Sequence, residues 1–388
     1  MSDTRKTTKP NVPNLRFPGF EGEWENKRIG DIGKFFSGGT PSSSRKDFYG
    51  GEIPFIRSGE IHSDKTELFL TQEGYKNSSA KMVEVGDILL ALYGANSGDI
   101  SISQMRGAIN QAILCIRTNV APVFFKSVWE KHAQKILNTY LQGGQGNLSA
   151  DIVKKITISI PSQIEQAKIA ALFSHLDERI SIQNRLIEDL KKLRCAIVEK
   201  MFKQSKANGR LGDFIEQVSV RNKNGLYSNV LSVSNKQGFV KQSEQFEDRT
   251  VASKDTSNYK IVKRNNFAYN PARINVGSIA RLTKFDVGIV SPMYVCFRTK
   301  ASIIPEYMEA FFTSQQFFYE MMKRLEGSVR LCLSYEGLCN IPVYIPDMNK
   351  QIAMGQNISL ILSKIGLEIE YLGRLHQQKQ YLLRKMFI

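Results

Sequence analysis

The chain has 388 residues, of which 42% are apolar, and its 53 Lys and Arg against 37 Asp and Glu leave a net charge of +16. That length suits two or three domains, each with its own core, and so large a basic surplus makes a polyanion the first partner to consider. Its five cysteines (Cys115, Cys195, Cys296, Cys332, Cys339) form no C-x-x-C pair and only four histidines accompany them, which argues against a zinc site and predicts reduced, packed thiols. Residues 1–13 are polar and basic, unlike a signal peptide, and no run of eighteen apolar residues occurs. A soluble, cytoplasmic protein is expected.

In chain order, residues 1–24 read as a flexible tail with aromatic anchors at Phe17, Phe20 and Trp24. Ile29-Gly30-Asp31-Ile32 then leads through Lys34-Phe35-Phe36 into Ser37-Gly38-Gly39-Thr40-Pro41-Ser42, where the double glycine predicts a sharp loop with positive φ. Strands are expected over 53–56, 86–92 and 112–116, with a turn at 93–98. Pro122 suits the first turn of a helix running to about Leu141. Gly143-Gly144-Gln145-Gly146-Asn147 ends that helix, and 156–160 alternates like a strand.

A long helix follows, and the chain contains it twice. Ile160-Pro161 opens the first copy and Lys200-Met201-Phe202 closes it, while 185 residues later Ile345-Pro346 and Lys385-Met386-Phe387 do the same without a gap. Seam residues recur at steps of four and three. They are Ile169, Phe173, Leu176, Ile180, Gln183, Ile187, Leu190, Arg194, Ile197 and Met201 in the first copy. The second has Met354, Ile358, Ile361, Ile365, Glu368, Leu372, Leu375, Lys379, Leu382 and Met386. The polar interruptions fall at the fifth and eighth layers of both.

The globular part repeats as well. Leu211-Gly212-Asp213-Phe214 echoes 29–32, Tyr294-Val295-Cys296-Phe297-Arg298-Thr299 echoes 113–118, and Pro305 opens a helix as Pro122 does. Leu333-Ser334 repeats Leu148-Ser149, and 341–345 repeats the last strand. The architecture expected is α+β, a tandem repeat of globular domain and long helix. It comprises a tail over 1–24, a domain over 25–160, a helix over 161–203, a second domain over 204–345 and a second helix over 346–388.

No Walker phosphate loop, dinucleotide fingerprint, H-E-x-x-H or G-x-S-x-G is present. Asn270-Pro271-Ala272-Arg273 resembles the Asn-Pro-Pro-aromatic loop of amino-methyltransferases, but it lacks the second proline and the aromatic that would stack on a flipped base. It reads as a Pro-containing turn. No catalytic or metal-binding residue is assigned, and the chain reads as a binder.

This plan resembles that of a type I restriction-modification specificity subunit. Asn14-Leu15-Arg16-Phe17-Pro18-Gly19-Phe20 with Trp24 looks like that family's N-terminal segment. Gly38-Gly39-Thr40-Pro41-Ser42, followed by 51–61, is similar to the opening of its target recognition domains, and Ile160-Pro161-Ser162-Gln163-Ile164-Glu165-Gln166 to the start of its helix. The second half has Val220-Arg221-Asn222-Lys223-Asn224-Gly225 in place of the Gly-Gly-Thr-Pro loop. The resemblance implies that each domain reads one half of a split target in double-stranded DNA. It also implies that the helices, antiparallel about a pseudo-twofold axis, set the spacer and dock two methyltransferase subunits. Those subunits would carry S-adenosylmethionine, a motor-nuclease restriction subunit would join them, and this chain would hold no cofactor.

Two similar, diverged domains can read two unlike half-sites, with polar loop residues on bases and Lys or Arg on phosphates. The candidates are Thr40, Ser42, Arg57, Ser58, Tyr93, Asn96 and Ser97 in the first domain, and Arg221, Asn222, Asn270, Arg273, Asn275 and Arg330 in the second. A stand-alone DNA-binding regulator and a coiled-coil scaffold are the alternatives. Antiparallel helices in which layer numbers sum to thirteen would set Arg194 against Glu368 and Gln183 against Lys379. A sum of eleven would set each polar layer against an aliphatic one.

Overall fold

The computed structural model describes residues 10–141, 147–203, 206–235, 237–245, 255–328 and 330–388. Most of the N-terminal tail (1–9), most of the glycine-rich turn (143–146) and the junction Gln204-Ser205 lie outside them. The chain divides into two compact units, Met1–Asn184 with Tyr371–Ile388, and Arg185–Glu370. Each unit therefore holds one end of each long helix.

In the first unit β1 (Glu25–Arg28) pairs antiparallel with β10 (Thr157–Ile160). One four-stranded sheet has the order β2-β9-β6-β7, from Gly33–Ser37, Ile113–Thr118, Ile88–Ala91 and Ile100–Ile102. Another has the order β4-β3-β8-β5, from Phe69–Leu70, Tyr49–Ile56, Gly107–Ile109 and Lys81–Val83, with β3 and β8 parallel.

The second unit repeats this strand for strand. β11 (Gly209–Arg210) pairs with β20 (Pro342–Val343), and one sheet runs β12-β19-β16-β17, from Ile215–Gln217, Val295–Thr299, Phe267–Tyr269 and Ile279–Arg281. The other runs β14-β13-β18-β15, from Gly238–Lys241, Val230–Ser234, Val287–Val290 and Lys260–Lys263, again with β13 and β18 parallel. Every strand keeps its neighbours when ten is added to its number, so the repeat read in the sequence is a repeat of topology.

The long helices span Gln163–Lys203 and Met348–Met386. Each starts on a matched staple. The buried Gln166 side chain donates to the Pro161 carbonyl (2.9 Å) and accepts from the Ala121 N–H (3.2 Å). Gln351, 185 residues on, donates to the Pro346 carbonyl (2.9 Å) and accepts from the Ile304 N–H (3.0 Å). One glutamine thus satisfies two backbone groups that burial would otherwise strand, and it ties the helix start to the segment preceding the domain helix. None of the twenty seam residues is exposed.

Phe173 and Phe387, with ring centroids 5.4 Å apart, meet in the first core beside Phe124 and Trp24. Phe202, the counterpart of Phe387, packs in the second core on Tyr307 and Phe311 at 5.3 and 5.2 Å. Truncating any of these aromatics to alanine costs about 3–5 kcal/mol.

Two expectations change, and a helix that forms where expected proves to be interrupted. Gly38 and Gly39 have no positive φ; they are required by close approach, since a Cβ on Gly38 would lie 1.8 Å from the Ile109 carbonyl oxygen and one on Gly39 1.8 Å from Ser79 Oγ. The helix opened by Pro305 breaks after Phe311 and restarts over Gln315–Met322, because Ser314 Oγ accepts the Phe317 N–H (3.1 Å) and caps a new helix. The register summing to thirteen does not form. Within the first unit the helix ends run antiparallel, Phe173 against Phe387 and Asp177 against Lys379. Lys379 bonds Asp177 and Glu130, both at 2.7 Å, rather than Gln183. Arg194 shares a cavity wall with Ile358 and Leu362. The eighth layer faces the third, as in the sum of eleven, because Asp177 on the facing helix and Glu130 on the domain helix both reach Lys379.

Candidate functional site

The parallel pairs β3–β8 and β13–β18 point the C-terminal ends of these strands the same way within their sheet. The loops leaving β2, β3, β6 and β8 gather there in the first unit. Thr40 donates to Gln111 Oε1 (2.6 Å), joining the β2 and β8 loops. Leu92 N–H donates to the Ala112 carbonyl (2.8 Å), joining the β6 and β8 loops. A Cβ on Gly59 would lie 3.6 Å from Asn96 Nδ2, and His62 Nε2 sits 2.9 Å from Asp99 Oδ2, so the β3 and β6 loops are neighbours.

The first-domain candidates therefore cluster, but with different availability. Thr40, Ser42, Tyr93 and Asn96 are exposed. Ser42 shares a hydrogen bond with Ser44 (2.8 Å). Ser97 Oγ donates to the Leu92 carbonyl (2.9 Å) and so closes the turn. Arg57 is committed within the protein, at 2.8 Å from both Glu60 and Glu67. Its hydrogen bond pulls the Glu60 carboxyl down to about 2, and Ser58 starts the short 3-10 turn that carries Glu60.

The second unit gathers the corresponding loops. Asn270 Oδ1 accepts the Ala272 N–H (3.1 Å), which makes Asn270-Pro271-Ala272-Arg273 the expected turn. Ser278 Oγ donates to the Val233 carbonyl (3.1 Å), linking the β16 loop to the end of β13. The Leu333 N–H donates to the Pro271 carbonyl (3.1 Å), bringing the segment of Arg330 alongside. Arg273 and Arg330 are exposed and Asn275 is half-buried. Arg221 Nη1 donates to Asn258 Oδ1 (3.0 Å) and its backbone bridges to Lys260 at the start of β15. Asn222 is 2% exposed, and its amide both donates to and accepts from Tyr227 backbone groups (2.8 and 3.2 Å), so it holds the loop from within.

Sequence reasoning missed Gln111, which anchors Thr40, and the pair Lys81 and Lys260. Lys81 lies opposite Ile109 and Lys260 opposite Val290, the last residues of β8 and β18. The two lysines hold one register position in both units, beside the loop cluster. The echo of 113–118 at 294–299 was the available signal for Gln111, which lies two residues before it. The lysines are the first residues of β5 and β15, and the sequence gave no signal for them. Among the described residues, no group of His, Cys, Asp and Glu could hold a metal, and no helix is long and apolar enough to cross a membrane.

Residues 21–192 match the model of the type I restriction modification DNA specificity domain. The type I restriction enzyme MjaIX specificity subunit of Methanocaldococcus jannaschii is 28% identical over 194 residues, 46% of this chain and 44% of that protein. The HindI specificity subunit of Haemophilus influenzae is 28% identical over 186 residues, 44% and 39% of the two chains. The chain thus spans less than half the length of these curated relatives. A type I restriction-modification S subunit from M. genitalium has the same fold, with a TM-score of 0.63 covering 97% of this chain and 99% of that one at 17% identity.

Proposed function

We propose that this chain is the sequence-specific DNA-binding subunit of a type I restriction-modification complex, a reading supported by the match of residues 21–192 to the specificity-domain model and by the specificity subunits it resembles. Each unit reads one half of a split target in double-stranded DNA. The carrying observation is the strand-for-strand repeat, which puts two diverged loop clusters on one frame. One frame with two loop sets suits two unlike half-sites.

In this reading Thr40, Ser42, Tyr93 and Asn96 face bases in one half-site, and Asn270, Arg273, Asn275 and Arg330 in the other. Arg57, Ser58, Ser97, Arg221 and Asn222 shape the loops that carry them. The helices set the spacer and dock two methyltransferase subunits, which hold S-adenosylmethionine and carry the chemistry, and motor-nuclease subunits complete the restriction complex. The chain itself has no catalytic role, and the complex works in the cytoplasm.

The test replaces residues 25–160 with the corresponding domain of a relative and maps modified adenines in a host carrying the cognate methyltransferase. One half of the methylated motif should change, with the other half and the spacer constant. A chimera that alters both halves refutes the division of labour.

A further inference from the structure

The second unit contains a cavity of about 450 Å³ beside Arg194, within the roughly 300–1,000 Å³ range of small-molecule sites. The repeat explains why it is there. Arg194 is the counterpart of Lys379, the eighth seam layer of the other helix. In the first unit Lys379 is neutralised by Asp177 and Glu130, both at 2.7 Å. The residue 185 positions after Asp177 is Leu362. Counted from the helix-opening prolines Pro122 and Pro305, the counterpart of Glu130 is Thr313. Leu362 and Thr313 both line the cavity. The second unit has therefore lost both carboxylates around the equivalent cation, and open space stands where they would reach.

The carboxylate that remains in the wall does not replace them. Glu309 is engaged by Arg281, with Nε and Nη2 both at 2.9 Å, and Arg281 also pairs with Glu306. Arg194 is half-buried and has no hydrogen bond or ion pair among the described residues. The charge of Glu309 reaches Arg194 while its hydrogen bonds go to Arg281, so the half-buried guanidinium keeps its donors free for an added anion. Lys284, exposed at the same cavity, adds a second cation. The remaining wall includes Phe239, Phe312 and Ile358, and it narrows little at Gly238 and Ala280 because both are small.

We propose that this cavity binds a small organic anion with an apolar body, its carboxylate, sulfonate or phosphate head on Arg194 and its body against Phe239, Phe312 and Ile358. The site belongs to the second unit alone, because in the first the protein's own carboxylates occupy the equivalent place.

The experiment titrates the full chain with 8-anilinonaphthalene-1-sulfonate and, in parallel, with the uncharged N-phenyl-1-naphthylamine. The sulfonate should bind at one saturable site, and Arg194→Met should weaken it about ten-fold, the worth of one charge-assisted hydrogen bond. Lys284→Met should weaken it by a smaller factor, and Ala280→Phe, which fills the space, should exclude both dyes. The neutral dye should not respond to either charge removal. Sulfonate affinity within two-fold of the original in Arg194→Met, or equal losses for both dyes, overturns the proposal. Should Arg194→Met fail to fold, Lys284→Met at the exposed mouth decides: unchanged sulfonate affinity there overturns it too. Neither dye measurement involves DNA or a methyltransferase, so its outcome is independent of the function proposed above.

Discussion

Asp177→Leu makes the first unit resemble the second at one position, and its cost follows from the geometry. Asp177 accepts from Lys126 (2.5 Å) and Lys379 (2.7 Å), while Glu130 stands 3.2 and 2.7 Å from the same two ammonium groups. Two lysines, 16% and 13% exposed, share two carboxylates. Removing Asp177 leaves both cations on Glu130. Two charge-assisted hydrogen bonds are worth about 1.5–3 kcal/mol each. The exposure that Asp177 retains, 31%, and the surviving Glu130 contacts reduce the net loss to about 1.5–3 kcal/mol in total. For a unit of this size that lowers the melting midpoint by about 3–12 °C.

The pH dependence has a definite sign. Burial alone would raise the Asp177 carboxyl, but hydrogen bonds from Lys126 and Lys379 outweigh it and hold the carboxyl below its ordinary 3.8. Its stabilisation is therefore fully present above that value and is lost as pH falls through the lower folded one. Urea unfolding of both proteins should show a constant difference from pH 7 to pH 5 that shrinks only below about pH 3.8. A midpoint unchanged by the substitution, or a difference that already changes between pH 7 and pH 5, refutes the network.

Gln351→Ala leaves the Pro346 carbonyl and the Ile304 N–H without their partner and should cost about 2–4 kcal/mol in denaturant unfolding. Gln166→Ala should cost a similar amount. In the assembled complex, Lys81→Ala should weaken binding uniformly across DNA sequences and reduce the salt slope by about one, whereas Asn96→Ala should relax the motif at one half-site; motif relaxation by Lys81→Ala would contradict a phosphate role. Four residues added after Lys203 extend a helix by about 6 Å, so methylation mapping should find a longer spacer between unchanged half-sites.

The sequence by itself determined the repeat, because heptad spacing, helix-opening prolines and strand echoes are local signals that survive divergence of the loops between them. It therefore held the α+β architecture, both long helices and the loops in which the candidates lie. What it could not carry was any property that depends on neighbours from another element. Gly38 and Gly39 looked like conformational glycines, yet what excludes a side chain there is the Ile109 carbonyl and Ser79, 71 and 40 positions downstream. Arg57 pairs with Glu60 and Glu67, and Asn222 is buried in its own loop, neither of which the sequence could show. The seam register failed for the same reason. Polar layers were matched within the helices, whereas Lys379 found Glu130 on the domain helix, 249 positions away. Long side chains satisfy their charge with whatever carboxylate the packing brings within about 3 Å, and only the tertiary structure decides which one that is.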